Sequence, residues 1–202
     1  MTEPRDIPFV LVFNKKDLWG AEEIAIFEKM KAIYTKIGYS VIATSTETGE
    51  GLDEFKAILK GKTSLLGGQS GVGKSSLVNA VQPQLDLRTH EISDYSGKGQ
   101  HTTTFAEMFE LDFGGQIIDT PGIKTLSFNF LKPMDVAHNY REFFKISESC
   151  RFGGTCLHRG EPGCALPEAI ESGEVSELRY MNYRQILEEV EDQHFWERNR
   201  EF

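Results

Sequence analysis

Lys74 and Ser75 end the run Gly68-Gln69-Ser70-Gly71-Val72-Gly73-Lys74-Ser75, which fits the pattern G-x-x-x-x-G-K-[ST]. The spacing suits phosphate binding. Glycines let consecutive backbone N–H groups turn inward around a phosphate with no Cβ in the way. A helix beginning at the end of the run adds its positive N-terminal end. Lys74 is expected to reach the β- and γ-phosphates of a nucleotide, and the Ser75 hydroxyl to ligate Mg²⁺. The phosphate-binding set is Gly68, Ser70, Gly71, Val72, Gly73, Lys74, Ser75 and Ser76, with Lys74 also counted as catalytic. The pattern alone does not choose between ATP and GTP.

That choice falls to Asn14-Lys15-Lys16-Asp17. A carboxylate at Asp17 accepts two hydrogen bonds from the N1–H and exocyclic amine of guanine. Adenine offers no such pair and would leave buried groups unpaired. Lys15 can lay its stem over the base, and Asn14 can tie the loop back to the phosphate loop. N-K-x-D by itself occurs by chance in a few per cent of chains of this length, roughly, from average composition; its weight comes from company. Ser45-Thr46 resembles the second guanine-contacting loop of GTPases, which usually reads Ser-Ala. Asp119-Thr120-Pro121-Gly122 supplies an Asp that can hold Mg²⁺ through water and a Gly amide that can sense the γ-phosphate.

A second constellation is Cys150-x5-Cys156-x-His158-x5-Cys164, which uses every cysteine in the chain. Three thiolates and an imidazole make a full tetrahedral set with no open position, so a structural Zn²⁺ is expected rather than a catalytic one. Gly153, Gly154, Gly160 and Gly163 give the intervening loops their turns.

Stepping outward to the elements, Ile7 to Phe13 reads as a buried strand, followed by a helix with Ile24, Phe27, Met30, Tyr34 and Ile37 inward and Gly38 as its stop. Val41 to Ala43 is a second strand, Leu52 to Leu59 a helix, and Thr63 to Leu66 the strand that feeds the phosphate loop. A helix breaks before Pro83, and Phe105–Leu111 and Gln116–Ile118 form two strands joined by a turn. The alternation predicts an α/β fold, a mostly parallel sheet with flanking helices over residues 1–131. Residues 132–202 predict a small helical zinc-binding domain, helical on both sides of the cysteines and mainly helical from Pro167 to Asp192. The aromatic end, Phe195-Trp196 and Phe202, is expected to pack against the 1–131 domain, with docking on an RNA or protein surface as the alternative.

The chain has 202 residues and a net charge of −9, with 39% hydrophobic and 26% charged residues. The acidic balance argues against broad nucleic-acid binding through total charge. No stretch is apolar and long enough for a membrane span, and no secretory signal is present, so a cytoplasmic setting without membrane contact is expected.

Base-reading loops that precede the phosphate loop reverse the order of ordinary GTPases. Together with the Cys₃His cluster, this order resembles the RsgA (YjeQ) family of bacterial circularly permuted GTPases, implicated in late maturation of the small ribosomal subunit. The likeness spans the chain from Ile7 to the helical tail. It implies a circularly permuted P-loop GTPase fold whose Asn14, Lys15, Asp17, Ser45, Thr46, Asp119 and Gly122 bind nucleotide. Gly99-Gln100-His101-Thr102-Thr103-Thr104 resembles the family's switch I, where Thr103 would supply a Mg²⁺ ligand. Ile123 stands where Ras-like GTPases carry a water-orienting Gln, and the family gives that duty to the histidine equivalent to His101. The resemblance also implies GTP and GDP as ligands, the small ribosomal subunit (16S rRNA and proteins) as partner, and a monomer. Family members carry an N-terminal RNA-binding OB barrel ahead of the segment equivalent to Ile7, whereas this chain starts almost at the base-reading strand. The alternative function is a nucleotide-gated ribosome-binding module with negligible hydrolysis; an ATPase or small-molecule kinase conflicts with Asp17.

Overall fold

A computed structural model describes residues 7–87, 107–119 and 131–198. The chain divides into two compact units, Val10–Leu126 and Ser127–Phe202 with Met1–Phe9.

In the first unit, β1 (Val10–Phe13) and β2 (Ser40–Ala43) pair in parallel, with Val10 opposite Ser40 and Phe13 opposite Ala43. A parallel pair needs a long crossover, which α1 (Ala21–Ile37) supplies. Glu23 accepts the Gly20 N–H at 2.9 Å to start this helix, and Gly38 ends it. The inward stripe begins one turn later than the periodicity predicts. Ile24 is 46% exposed, and the first buried residue is Phe27, whose ring meets those of Phe13 at 5.3 Å and Trp19 at 5.0 Å. β1 likewise starts at Val10, because Ile7 and Phe9 are exposed and Pro8 lacks the N–H a ladder requires.

The second ladder has the order β3 (Thr63–Leu65), β5 (Gln116–Asp119), β4 (Glu107–Glu110). β3 and β5 are parallel, and β4 and β5 form an antiparallel hairpin. The expected sheet thus takes the form of two ladders among the described residues, with the hairpin as the antiparallel element. Helices α2 (Leu52–Leu59) and α3 (Lys74–Val81) cover it. Ile42, Phe55, Leu59, Leu77, Val78, Leu111 and Ile117 form one buried cluster. Each large apolar side chain so buried contributes about 2 kcal/mol. Gln82, buried just past α3, donates to Glu110 O at 3.0 Å and accepts from Asp112 N at 2.8 Å, stapling the helix end to the hairpin.

The second unit is helical: α4 (Pro133–Asn139), α5 (Arg141–Ser147), α6 (Leu166–Glu171) and α7 (Glu177–Arg198). The tail predicted as mainly helical is two helices, parted by the Ser172–Ser176 segment in which Val175 is buried. Tyr140, Phe143 and Tyr183 form an aromatic centre, with Phe143 stacked on Tyr140 and edge-on to Tyr183, each at 4.9 Å. Arg179 donates to Glu142 from Nε at 2.7 Å and Nη2 at 3.2 Å, and its guanidinium lies 4.4 Å from the Tyr140 ring centroid. No helix of the described residues is long and apolar enough to cross a membrane.

Candidate nucleotide site and metal centre

Both base-reading segments leave the carboxyl ends of the parallel pair β1–β2, the end at which open α/β sheets bind ligands. The chain turns sharply after Asn14. Lys15 adopts a left-handed conformation (φ 64°), and Lys16–Leu18 make a single 3-10 turn. Lys16 N donates to Thr44 O at 3.0 Å, and Thr44 N to Phe13 O at 2.8 Å, so the second loop is sewn to the first by backbone bonds. Side chains complete the seam. The Thr44 hydroxyl donates to Asn14 Oδ1 at 3.0 Å, and the Ser45 hydroxyl to Asp17 Oδ1 at 2.5 Å. Ser45 Oγ itself accepts from Thr48 N at 3.2 Å, which fixes its rotamer. Thr44 and Ser45 are both 0% exposed. Lys16 and Glu50 form an ion pair across the rim of the two loops. Thr46 is half-buried beside Ser45.

The phosphate loop is joined to this assembly by Asn14, whose Nδ2 donates to Val72 O at 3.0 Å. Gly73 has φ 93°, and a Cβ there would lie 2.3 Å from Asn14 Nδ2. Only glycine fits both the conformation and the approach. Lys74 Nζ donates to Gly68 O at 2.7 Å and Gln69 O at 2.9 Å, which folds the ammonium back over the loop. Ser75 and Ser76 stand in the first turn of α3, beside its N-terminal N–H groups. This arrangement can grip a phosphate chain with one loop and read a purine edge with another. Thr44 is the contributor that motif reading missed; the only signal was a polar residue ending a buried strand just before Ser45. Asp119 is the last residue of β5. His101, Thr103 and Gly122, with the rest of the 99–104 segment, and Phe202 lie outside the described residues, as do the side chains of Phe195 and Trp196.

In the helical unit, Cys150 follows α5, Cys156 follows a 3-10 turn at Gly153–Thr155, and Cys164 precedes α6. The metal-facing atoms of Cys150, Cys156, His158 and Cys164 all lie within 4.8 Å of one another. His158 Nδ1 is 3.4 Å from Cys164 Sγ and 3.8 Å from Cys150 Sγ. A tetrahedral ion with thiolate bonds of about 2.3 Å needs ligand separations near 3.8 Å, so this donor set fits a metal with small adjustments. Ala165 N donates to Cys150 Sγ at 3.3 Å, a bond suited to a thiolate.

Burial sets the protonation of the metal-free centre. It pushes the Cys156 thiol up to about 12 and raises that of Cys164. It also lowers His158, which favours the neutral imidazole a metal needs. Burial would raise Glu161 too, but backbone N–H groups of Glu161, Arg159 and Leu157 outweigh it and hold that carboxyl below the usual range.

The α/β frame and the permuted order of these loops match a known family. The RsgA GTPase family model covers residues 1–129. The chain belongs to the RsgA GTPase family. It is 46% identical over 186 residues to the small ribosomal subunit biogenesis GTPase RsgA of Phocaeicola vulgatus, covering 92% of this chain and 60% of that protein. The protein of the same description from Porphyromonas gingivalis strain W83 is 47% identical over 186 residues, covering 91% and 59%. Among solved structures, YjeQ from Thermotoga maritima superposes with a TM-score of 0.78 at 38% identity, over 94% of this chain and 62% of that one. YloQ, described as a circularly permuted GTPase, gives 0.74 at 31%, over 93% and 58%. The fold is therefore the circularly permuted GTPase fold of RsgA proteins. The chain spans about three-fifths of the length of the curated RsgA relatives it matches.

Proposed function

We propose that this chain binds GTP, hydrolyses it to GDP and phosphate, and assists late maturation of the small (30S) ribosomal subunit. The observation that carries the reading is the pair of bonds from Ser45 to Asp17 and from Asn14 to Val72, which makes one unit of the two base-reading loops and the phosphate loop. Asp17 would accept the N1–H and exocyclic amine of guanine, and Lys15 would cover the base. Backbone N–H groups from Gly68 to Ser76 would bind the phosphates, with Lys74 exchanging its loop carbonyls for phosphate oxygens. Ser75 and Thr103, and Asp119 through water, would hold Mg²⁺, which when bound neutralises charge on the transferring phosphoryl group. His101 would orient the water that attacks the γ-phosphorus as the bond to the β–γ bridging oxygen breaks, and the Gly122 amide would sense the γ-phosphate. The names of the RsgA relatives support the ribosomal role, and 16S rRNA with neighbouring proteins is the partner assigned.

The Cys₃His centre is assigned to a structural Zn²⁺, because four protein ligands leave no position for substrate. The boundary between GTPase and zinc domains is set at 131/132. The chain is assigned to the cytoplasm as a monomer.

The test is fluorescence titration of the purified chain with labelled GDP and ADP, beside Asp17→Asn. Preference for GDP that collapses in the variant supports the reading; equal binding of both nucleotides, or of neither, overturns it. GTP turnover with added 30S subunits then compares the chain with His101→Ala. A loss of rate at unchanged GDP affinity is expected; no turnover in either protein favours the nucleotide-gated binding module.

A further inference from the structure

The four metal ligands do not explain how His158 is held. Its backbone lies in the left-handed region (φ 53°), which few residues other than glycine adopt, histidine being among those that enter it more readily. Such a conformation persists where surrounding contacts fix it. Here they do so on both sides of the residue. Glu161 Oε1 accepts Leu157 N at 2.9 Å, and Oε2 accepts Arg159 N at 2.6 Å. One carboxylate thus brackets His158 by its two neighbours. The same residue's carbonyl accepts Cys164 N at 3.0 Å, which links the histidine turn to the last cysteine.

The carbonyls of the turn are captured as well. Tyr183 donates to Leu157 O at 2.5 Å, and Tyr180 to His158 O at 3.1 Å, both from α7. Arg159 Nη1 donates to both carboxylate oxygens of Glu191 on that helix, at 2.7 and 2.8 Å. None of these groups is a metal ligand, yet together they satisfy the backbone on either side of one.

We propose that Glu161 is the positioning residue of the Cys₃His centre, holding His158 in its ligating conformation by a two-oxygen clasp on Leu157 and Arg159. The proposal rests on the assignment of a metal to this centre. A carboxylate is required because each oxygen must accept; an amide offers one acceptor and turns a donor toward the other N–H. Loss of such an outer contact costs about 10- to 100-fold in metal retention.

The test uses the 202-residue chain loaded with Zn²⁺, and separately with Co²⁺ as a spectroscopic probe. Metal content of the wild type is measured first, and a chain that retains no metal overturns the assignment and this proposal together. With metal present, release to a chelator should quicken about 10-fold in Glu161→Gln and further in Glu161→Ala. Glu174→Gln, an exposed acid elsewhere in the unit, should match the wild type. The Co²⁺ thiolate and d–d bands should shift in Glu161→Gln, reporting a moved histidine. If Glu161→Ala does not fold, Glu161→Gln carries the test alone. Wild-type metal lifetime and an unchanged Co²⁺ spectrum in a folded Glu161→Gln overturn the proposal even if its melting temperature falls, since that pattern marks general stability without ligand positioning.

Discussion

The Ser45 hydroxyl donates to Asp17 Oδ1 at 2.5 Å while its own oxygen accepts Thr48 N–H. The Asp17 carboxylate is therefore oriented before any base arrives. Each carboxylate oxygen has further lone-pair capacity, so this bond steers the group without using it up. Ser45→Ala should weaken labelled GDP binding about 10-fold or more, the worth of one hydrogen bond to a charged group. Its preference for GDP over ADP should narrow. An unchanged affinity would mean that Asp17 is oriented by the backbone turn alone.

Gly51 opens α2 with φ 72°, and a Cβ there would lie 2.1 Å from Ala43 O. The carbonyl belongs to β2 and cannot move without disturbing the second base-reading loop. Gly51→Ala should lower the unfolding free energy by about 3 kcal/mol, combining backbone strain with a clash. Gly49→Ala is the control, because Gly49 has φ 78° but nothing within 4 Å. It should cost only about 1 kcal/mol. Urea unfolding of the two variants compares them directly, and equal losses would remove the clash from the account.

Arg179 and Glu142 join α7 to α5 with side chains only 12% and 11% exposed. Arg179 donates twice to Glu142, and taking one member from so buried a pair costs about 3 kcal/mol. Glu142→Gln should therefore destabilise the helical unit strongly, as read by thermal unfolding. Arg179→Lys should also lose stability, because an ammonium cannot make the two-pronged contact with Glu142 or lie flat on Tyr140. A Lys variant as stable as the wild type would contradict that geometry.

Burial that pushes Cys156 to about 12 and lowers His158 gives the metal-free protein a defined pH response. Unfolded cysteine and histidine titrate near about 8.5 and 6.5. Above roughly pH 8.5 the unfolded chain sheds a thiol proton that the folded centre keeps, so stability falls as pH rises toward the folded value. Below roughly pH 6.5 the unfolded chain takes up a proton that buried His158 resists, so stability falls again. Urea midpoints of chelator-treated protein should peak between these limits. Cys156→Ser should lose part of the alkaline decline; an identical decline would assign it to other groups. Because a metal would have to displace the same protons, retention of added Zn²⁺ should weaken in acid.

The motif residues were readable because phosphate, guanine and metal each demand fixed residue types at fixed spacing. Asn14 bonds to Val72 of the Gly68–Ser75 run, Ser45 bonds to Asp17, and the four metal-facing side chains lie within 4.8 Å of one another. The supports were not readable. Thr44, Gln82, Glu161, Tyr180 and Tyr183 satisfy backbone groups far along the chain, and no local periodicity announces which partner a polar side chain will find. The α1 stripe failed at Ile24 because helical spacing gives a face but not where neighbouring elements cover it. The hairpin was legible from its turn residues, whereas the division into two ladders depends on pairing across the unit.

Asn14 and Gly73 illustrate what such a site asks of its own history. The amide of one occupies the space where a side chain on the other would stand. A side chain at Gly73 is excluded while Asn14 keeps its amide there, however far apart the two codons lie. The pairing depends on proximity in space and is indifferent to which segment is translated first. A gene could therefore be cut and rejoined at many connections between strands, with this contact passing through each rearrangement intact.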